Sequence, residues 1–289
     1  MPAPAPELFE EHRTHLFAVA YRMLGSVADA EDMVQETFLR WQREDRVAIL
    51  SPRAWLTTVV TRLCLNYLKS ARVQREEYIG PWLPEPLVAE DTPTPSQHAE
   101  HAESLSIAFL VLLETLSPVE RAIYLLREVF DYAFAEIAAI VDKTEANCRQ
   151  LLVRARQHLA ERRPRFPASP AEQRRLAEAF LLAANQGDLA GLTAILSEDV
   201  TLLSDGGAAT KTTRRPIQGL DAVSRLLLHG APREQAAFTS TRLVTVNAAP
   251  GLLASRGDIP RAIIAFDFDA ARIRAIYLIA NPTKLQRLP

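Results

Sequence analysis

Residues 116–159, LSPVERAIYLLREVFDYAFAEIAAIVDKTEANCRQLLVRARQHL, contain the pattern that decides the fold of the first part of the chain. Ser117 is followed by a proline and, three positions after the serine, by Glu120, an arrangement typical of a capped helix start. Farther on, a short apolar helix ends near Asp142, and Thr144 is placed to cap a second helix. The spacing predicts a helix-turn-helix.

The second helix of this pair has two different faces. The apolar face is predicted to be buried and consists of Cys148, Leu152, Ala155 and Leu159. Arginine, asparagine and glutamine dominate the other face, and these side chains contact base edges and phosphates in a major groove. The pattern therefore indicates a DNA-recognition helix, with an ordinary helical hairpin as the alternative interpretation.

Helical periodicity also dominates the residues before this motif. Three helices are predicted between residues 5 and 75, with Ser26 capping the second and a Ser-Pro pair at residues 51–52 starting the third. The third helix carries a polar stripe, at helical spacing, of Arg62, Asn66, Lys69 and Arg72. This stripe predicts contact with phosphates, and a solvated helix face is the alternative.

The distribution of charge favours a nucleic-acid partner, although the net charge does not. The 289 residues carry a formal net charge of −2. Residues 53–75 nevertheless contain five basic side chains and no acidic ones, and residues 143–165 contain seven basic and two acidic ones. Residues 76–104, which lie between them, contain seven acidic side chains and no lysine or arginine. Two basic helical patches are the electrostatic footprint expected for phosphate contact.

Residues 76–104 interrupt the helical pattern. They include five prolines, which exclude a single continuous helix. Their first part contains GPWLPEPL at residues 80–87, where one tryptophan and two leucines among prolines predict an extended docking segment. The remainder has the composition of a linker.

The C-terminal part begins after PRFPASP at residues 164–170, which is typical of a linker. Two predicted helices meet at residues 187–188. Strand-like runs follow them, namely VTLLS, FTSTRLVTVN, GLLASR, RAIIAFDFD and RIRAIYLIAN. We expect an α+β domain with a curved antiparallel sheet.

Composition also limits location and chemistry. The N-terminus, MPAPAPELFEEH, has neither the basic start nor the apolar core of a signal peptide, and no apolar run reaches the length of a membrane span. Two cysteines can form neither a disulfide framework nor a complete zinc site. We therefore predict a soluble, cytoplasmic protein with no metal, no cofactor and no membrane partner.

Residues 5–165 resemble the group IV, or extracytoplasmic-function, sigma factors of bacterial RNA polymerase. FEEHRTHLFAVAYRMLGSVADAEDMVQETFLRWQRE and PRAWLTTVVTRLCLNYLKS resemble sigma region 2, and residues 116–159 resemble sigma region 4. Residues 170–286 resemble a SnoaL-like cone domain, and the fusion is similar to one sigma-factor subfamily with a C-terminal extension. The resemblance implies a multidomain protein with two all-α domains at 5–75 and 105–165, a linker at 76–104 and an α+β domain at 170–286.

The resemblance also implies a promoter-specificity factor that binds core RNA polymerase and promoter DNA. The polymerase would be contacted by Asp29, Glu31, Asp32, Gln35 and Glu36, although acidic residues at a helix start also stabilise that helix without a partner. The −10 element would be contacted by Arg62, Asn66, Lys69 and Arg72. The −35 element would be contacted by Lys143, Asn147, Arg149, Gln150, Arg154 and Arg156. The acidic linker would pass through basic channels of the polymerase.

Three short motifs shared with this subfamily predict that the C-terminal domain regulates the sigma part. They comprise Trp82, Leu83, Pro84, Glu85, Pro86, Leu87, Asp205, Gly206, Gly207, Asn281, Pro282, Lys284 and Leu285. The hypothesis is that the cone domain binds the linker and restrains the two DNA-binding domains. One departure concerns the DGG motif, which in the subfamily is followed by a glycine and a lysine, whereas Ala208 and Ala209 follow here.

The cone domain leaves further functions open. A small-molecule ligand in an apolar cavity would control the same contact. A cone-fold enzyme would need pocket acids and histidines, and the sequence offers Asp199, Asp205, Asp221, His229 and Asp267 without a dense cluster. We expect no enzymatic activity. The alternative to a sigma factor is a ligand-sensing DNA-binding regulator or a cone-domain enzyme tethered to DNA, but neither needs the acidic helix start or the polar stripe.

Overall fold

The structure is a computed structural model, and it divides into two compact units. The first unit comprises Met1–Glu76 with Leu112–Arg162, and the second comprises Glu77–Val111 with Arg163–Pro289. The residues that the structure describes are 5–44, 49–76, 78, 80–89, 103–161, 168–208, 210, 212–230, 238–269 and 271–288.

The first unit begins with three helices, as predicted. They are α1 (Ala5–Leu24), α2 (Val27–Arg43) and α3 (Pro52–Glu76). The hydroxyl of Ser26 accepts a hydrogen bond from the amide of Asp29 and so caps α2. Apolar side chains from all three helices form a shared core, and they include Leu16, Met23, Trp41, Leu56 and Val60.

The predicted helix-turn-helix is confirmed. Helix α4 (Ile107–Leu113) precedes α5 (Pro118–Tyr124), which continues into a π-helical turn (Leu125–Val129), and α6 (Phe134–Val141) and α7 (Glu145–Ala160) follow. Ser117 and Glu120 form the capping box at the start of α5. Asp142 takes a left-handed conformation with φ 56°, and Thr144 caps α7 through the amide of Asn147. The turn therefore follows the local signals in the sequence.

The second unit contains a mixed sheet with helices packed against it. Its elements are β1 (Val88–Ala89), α8 (Pro170–Gln186), α9 (Leu189–Ile195), β2 (Leu196–Asp205), β3 (Ile217–Gln218), α10 (Leu220–Arg225) with a π-helical turn (Leu226–Gly230), β4 (Ser240–Val246), β5 (Ala249–Arg256), β6 (Ile259–Phe268), β7 (Ile273–Ile279) and α11 (Pro282–Leu285). Within the described residues the strand order is β1-β4-β5-β6-β7-β2-β3.

The predicted sheet was wrong in one respect. Strand β2 pairs with β7 in parallel, whereas the other neighbouring strands are antiparallel. A parallel pair needs a long connection, and here that connection contains β3, α10 and the β4–β6 meander. The α+β class itself is confirmed.

Each face of the sheet has its own apolar core. On the helix-covered face, side chains such as Leu176 and Phe180 of α8 pack against Leu252 and Phe266 of the sheet. The opposite face, here called the linker-covered face, packs against Leu83, Val88, Ile107, Ala108 and Val111. Leu83 is fully buried there, and Ile107 is 2% exposed.

Residues 105–111 differ from the predicted domain boundary. The sequence analysis placed them with the helix-turn-helix, but Ile107, Ala108 and Val111 pack on the linker-covered face of the sheet. The reason is that α4 is apolar on most sides, and its local pattern does not identify which core it joins. Within the described part of the chain, no helix combines the length and the apolar character that crossing a membrane requires.

Candidate nucleic-acid interface and linker-binding site

The recognition helix α7 has the two faces that the sequence predicts. Cys148, Leu152, Ala155 and Leu159 are buried. The residues expected to contact the −35 element are all exposed, either on the opposite side of α7 or in the turn before it, namely Lys143, Asn147, Arg149, Gln150, Arg154 and Arg156. Within the described part of the first unit, no other residue covers these side chains, so they are accessible to DNA.

Two arginines of this face are held in place by neighbours. The guanidinium of Arg149 donates to the carboxylate of Glu145 at 2.7 Å and lies 4.7 Å from the ring centre of Phe134. The guanidinium of Arg156 donates to the carboxylate of Glu128 at 2.8 Å, and this bond raises the pKa of Arg156. The charges at these two positions are therefore partly neutralised by the protein.

The structure describes three of the four side chains of the polar stripe on α3. Asn66 and Lys69 are exposed, and the side chain of Arg72 lies outside the described residues. Arg62, however, donates from Nε to the carbonyl of Ile140 at 3.0 Å and from Nη2 to the carbonyl of Ala139 at 2.7 Å. It therefore binds the carboxyl end of α6, where the helix dipole favours a cation.

Residues expected to meet the polymerase form the outer face of α2. Glu31, Asp32 and Gln35 are exposed, and Asp29 is half-buried beside the Ser26 cap. Glu36 accepts a hydrogen bond from Arg40 at 2.9 Å. Both interpretations of the acidic residues at the start of α2 are therefore compatible with the structure. These residues stabilise the helix start, and they also present acidic groups to solvent, where a partner could bind them.

Arg121 was missed by the sequence analysis. Its guanidinium is buried and donates to the carbonyl of Met23 at 2.6 Å, at the carboxyl end of α1, and to the carboxylate of Glu114 at 2.7 Å. The available signal in the sequence was a single arginine inside the apolar pattern of α5, because a buried arginine needs hydrogen-bond partners.

A second polar contact joins the same two helical parts. The hydroxyl of Tyr132 lies 2.8 Å from the Thr57 hydroxyl and 3.1 Å from Nε2 of His15. Burial, and after it the neighbouring cation of Arg53, lowers the pKa of His15 from 6.5 to about 4. The imidazole is therefore neutral at pH 7.

The linker-binding site is built around the buried carboxylate of Asp205, at the end of β2. It accepts hydrogen bonds from the Tyr78 hydroxyl at 2.5 Å, the Leu83 amide at 2.9 Å and the Gly207 amide at 3.1 Å, and Lys284 Nζ lies at 2.7 Å. Burial and the bond to Asp205 raise the pKa of Tyr78, so its hydroxyl remains a donor. One carboxylate thus joins the linker, its own loop and α11.

Lys284 completes this contact. Its ammonium group also donates to the carbonyl of Leu83 and lies 4.3 Å from the ring centre of Trp82. Asn281 donates from Nδ2 to the Tyr78 hydroxyl at 2.7 Å. The predicted motifs at 82–87, 205–207 and 281–285 therefore meet in one site.

Asn247 holds the other end of the linker segment. Its Oδ1 accepts from the Leu87 amide at 2.8 Å, its backbone amide donates to the Leu87 carbonyl at 2.8 Å, and Nδ2 donates to the carbonyl of Leu105 at 2.9 Å. Sequence analysis missed both Tyr78 and Asn247. Asn247 and Ala248 form a turn in which both residues have positive φ. The asparagine indicated a turn in the sequence, but nothing indicated that this turn binds the linker.

The two glycines of the DGG loop lie too close to neighbouring groups to carry a side chain. A Cβ atom at Gly207, whose φ is 59°, would lie 2.8 Å from Nδ2 of Asn281, and one at Gly206 would lie 2.6 Å from the Thr210 carbonyl. The hydroxyl of Thr210 donates to the carbonyl of Ala280 at 3.2 Å. Ala208 is exposed, and Ala209 and Lys211 lie outside the described residues.

The sequence was compared with known proteins. It matches the Sigma-70 region 2 family over residues 8–73 and the Sigma-70 region 4 family over residues 106–159. The ECF RNA polymerase sigma factor SigJ of Mycobacterium tuberculosis is 39% identical to it over 97% of this chain and 93% of SigJ. The chain belongs to the extracytoplasmic-function (ECF) sigma factors.

The similarity of this ECF sigma factor to its relatives includes the C-terminal domain. A probable ECF sigma factor, SigI of M. tuberculosis, is 31% identical over 99% of this chain and 96% of its own length. The crystal structure of M. tuberculosis SigJ superimposes with a TM-score of 0.77 at 36% identity and covers 96% of both chains. The similarity therefore extends through the α+β domain that follows the sigma regions.

Family membership determines the activity of this ECF sigma factor. It is a promoter-recognition factor that binds core RNA polymerase and promoter DNA, and it is not an enzyme. The acids considered for catalysis do not line the cavity of the C-terminal domain. Asp199 is exposed, and Asp221 pairs with Arg225. Asp205 binds the linker, Asp267 is half-buried with its pKa raised by burial to about 6, and the His229 side chain lies outside the described residues.

No metal site is formed by the part of the chain that the structure describes. Within it, no group of three or more His, Cys, Asp or Glu side chains is arranged to hold a metal ion. Both cysteines are buried as free thiols, and burial raises the pKa of each.

Proposed function

We propose that the C-terminal domain of this sigma factor inhibits transcription initiation by holding the linker between its two DNA-binding regions. In this state residues 78 and 80–89 are bound to the sheet of the C-terminal domain. The family resemblance implies that the same acidic segment enters basic channels of the polymerase during initiation. One segment cannot occupy both places, so linker docking and productive polymerase binding exclude each other.

The observation that carries this proposal is the set of hydrogen bonds to Asp205. A buried carboxylate is costly unless it is fully bonded, and here two of its donors, Tyr78 and the Leu83 amide, come from the linker. Burial of the Leu83 side chain adds about 2 kcal/mol. The docked linker thus supplies hydrogen bonds that the buried carboxylate of Asp205 needs.

Within the sigma regions, we propose roles for the exposed polar faces. Lys143, in the turn before α7, contacts the −35 duplex together with residues of α7, namely Asn147, Arg149, Gln150, Arg154 and Arg156. On α3, Arg62, Asn66, Lys69 and Arg72 contact the −10 strand. Asp29, Glu31, Asp32, Gln35 and Glu36 bind the polymerase. The protein acts in the cytoplasm, where the polymerase works.

The test uses the full-length protein with the substitution Asp205→Asn, which keeps the side-chain shape but removes the charge. Two quantities are measured: hydrogen exchange at the Leu83 amide, and run-off transcription with limiting core polymerase. We expect faster exchange and more promoter-dependent transcript. The matched control is Asp258→Asn, in the exposed turn between β5 and β6, which should change neither.

Each readout addresses a separate part of the proposal. Unchanged exchange at Leu83 would show that Asp205 does not hold the linker. Faster exchange with unchanged transcription would show that docking occurs but does not regulate initiation.

A further inference from the structure

The C-terminal domain also contains a cavity on the face of the sheet opposite the linker-covered face. It has a volume of about 650 Å³ and lies between α8 and the helix-covered face of the sheet. Phe180, Leu181 and Ala184 line it from the helix, and Leu252 and Ile264 line it from the sheet. This volume and this apolar lining are typical of sites for small organic molecules.

Two arginines place positive charge at the edge of this cavity. Arg256, at the end of β5, and Arg261, near the start of β6, are exposed at its edge. Among the described residues, neither arginine forms an ion pair, and the lining of the cavity includes no aspartate or glutamate. An apolar space bordered by two unpaired guanidinium groups favours a molecule with an apolar body and an anionic end.

We propose that this cavity binds a small amphipathic carboxylate. Its apolar body would lie between α8 and the sheet, and its carboxylate would bind Arg256 and Arg261. Carboxylates are favoured because a guanidinium group binds them with two parallel hydrogen bonds. Thr239, Ser240 and Thr241 line the same cavity.

The cavity shares walls with the linker-binding site. Pro282 and Leu285, on either side of Lys284 in α11, line the cavity, and so does Thr210 of the DGG loop. Leu285 also belongs to the apolar cluster that buries Leu83. A molecule in the cavity therefore contacts the short helix whose lysine binds the linker.

The direction of this coupling follows from the state in which the cavity is formed. The cavity is open while the linker is docked, so a ligand that fills it adds contacts to α11 in the docked state. A ligand stabilises the state to which it binds more tightly. The carboxylate should therefore strengthen docking and, if the proposed function holds, lower transcription.

The binding test uses the full-length protein and two probes of equal chain length, decanoate and decan-1-ol, with affinities measured by calorimetry. We expect decanoate to bind at least about tenfold more tightly than the alcohol. The double substitution Arg256→Gln and Arg261→Gln should remove this preference and leave the affinity for the alcohol unchanged. The control, Arg174→Gln with Arg175→Gln on the exposed face of α8, changes the charge equally and should have no effect.

Three binding results would overturn the assignment. They are equal affinities for the two probes, an undiminished affinity of the Arg256/Arg261 variant for decanoate, and no binding of decanoate at millimolar concentration. The first two contradict the anionic end of the ligand, and the third contradicts the site itself.

The coupling is tested by hydrogen exchange at the Leu83 amide, which donates to Asp205. Saturating decanoate should slow this exchange, and unchanged exchange would refute the coupling. Because neither measurement contains polymerase, failure of the transcription test with Asp205→Asn would leave the ligand site standing. Conversely, failure of decanoate binding would leave linker docking standing.

Discussion

The guanidinium of Arg62 binds the carbonyl oxygen of Ile140 over 3.0 Å, although the two residues are 78 positions apart. Arg62 belongs to the stripe proposed to contact the −10 strand, and Ile140 lies in the first helix of the helix-turn-helix. Arg121 makes the reciprocal contact, from α5 to the carboxyl end of α1. Each helical part therefore supplies an arginine to a helix end of the other, and Arg62 must leave its carbonyls before it can bind DNA.

The Arg62 contact predicts separate effects on stability and on transcription. Arg62→Met should lower the free energy of unfolding by about 1 kcal/mol, because the helix end loses a partly exposed charged donor. Lys69→Met is the control within the same stripe, since Lys69 is exposed, and it should change stability by less than about 0.5 kcal/mol. Urea unfolding measures this difference, and equal stability losses would contradict it. Both variants should reduce run-off transcription.

The recognition helix predicts two kinds of mutational effect on promoter binding. Lys143, at the turn, is expected to contact phosphate, so Lys143→Ala should weaken binding to all −35 sequences and reduce the salt slope by about one. Gln150→Ala should instead relax the preference at one base pair, at a cost of about 1–3 kcal/mol. Binding of labelled promoter variants at several salt concentrations separates these effects. A uniform loss with Gln150→Ala would exclude base contact by this residue.

Gly207 and Gly257 form a matched pair for the DGG loop. Both have φ near 60°, but only a Cβ at Gly207 would meet Asn281 closely, whereas a Cβ at Gly257 would have nothing within 4 Å. Gly207→Ala should therefore destabilise the C-terminal domain by about 1 kcal/mol or more beyond Gly257→Ala. It should also speed exchange at the Leu83 amide. Thermal unfolding provides the comparison, and equal effects of the two substitutions would refute the close contact.

Stability should depend on pH through His15. Its pKa is lowered from 6.5 to about 4 on folding, so the unfolded chain binds more protons between these values and stability rises with pH across that window. Acidification from pH 7.5 to pH 5 should cost about 1 kcal/mol after allowance for the partial exposure of the imidazole. His15→Gln keeps a polar side chain without the titration. The difference between the two proteins in urea unfolding at the two pH values isolates His15.

Comparing the wild type with His15→Gln also cancels the opposite pH dependence that Asp267 contributes to stability. The pKa of Asp267 is raised to about 6 in the folded protein, so its contribution to stability falls with increasing pH between 3.8 and 6. Because Asp267 is present in both proteins, its effect cancels. The same pH dependence in the wild type and in His15→Gln would contradict the assignment to His15.

The helix-turn-helix could be predicted because its signals are local. Ser117, Glu120 and Thr144 act within four residues of their positions, and the buried face of α7 follows from helical spacing. The prediction of an extended docking segment rested on similar evidence, since Trp82 and Leu83 are apolar among prolines.

The partners of these residues could not be predicted in the same way. Tyr78 meets Asp205 across 127 positions, and Asn247 meets Leu105 across 142. A periodic pattern in the sequence does not indicate which distant residues come into contact. Likewise, nothing in the sequence distinguishes Arg62 from the other cations of its stripe, because its contact depends on the position of α6. For the same reason the apolar helix α4 gave no indication that it joins the sheet.

The bond between Asp205 and the Leu83 amide joins two parts of one polypeptide. An inhibitor made as a separate protein can be outnumbered when its target is overproduced, but here every copy of the linker is synthesised with its own docking surface. Under the proposed function, at a given concentration of free core polymerase, the inhibited fraction is therefore independent of expression level, and a ligand of the C-terminal domain changes it. Each 1.4 kcal/mol of docking free energy would raise about tenfold the concentration of free core polymerase needed for half-maximal initiation.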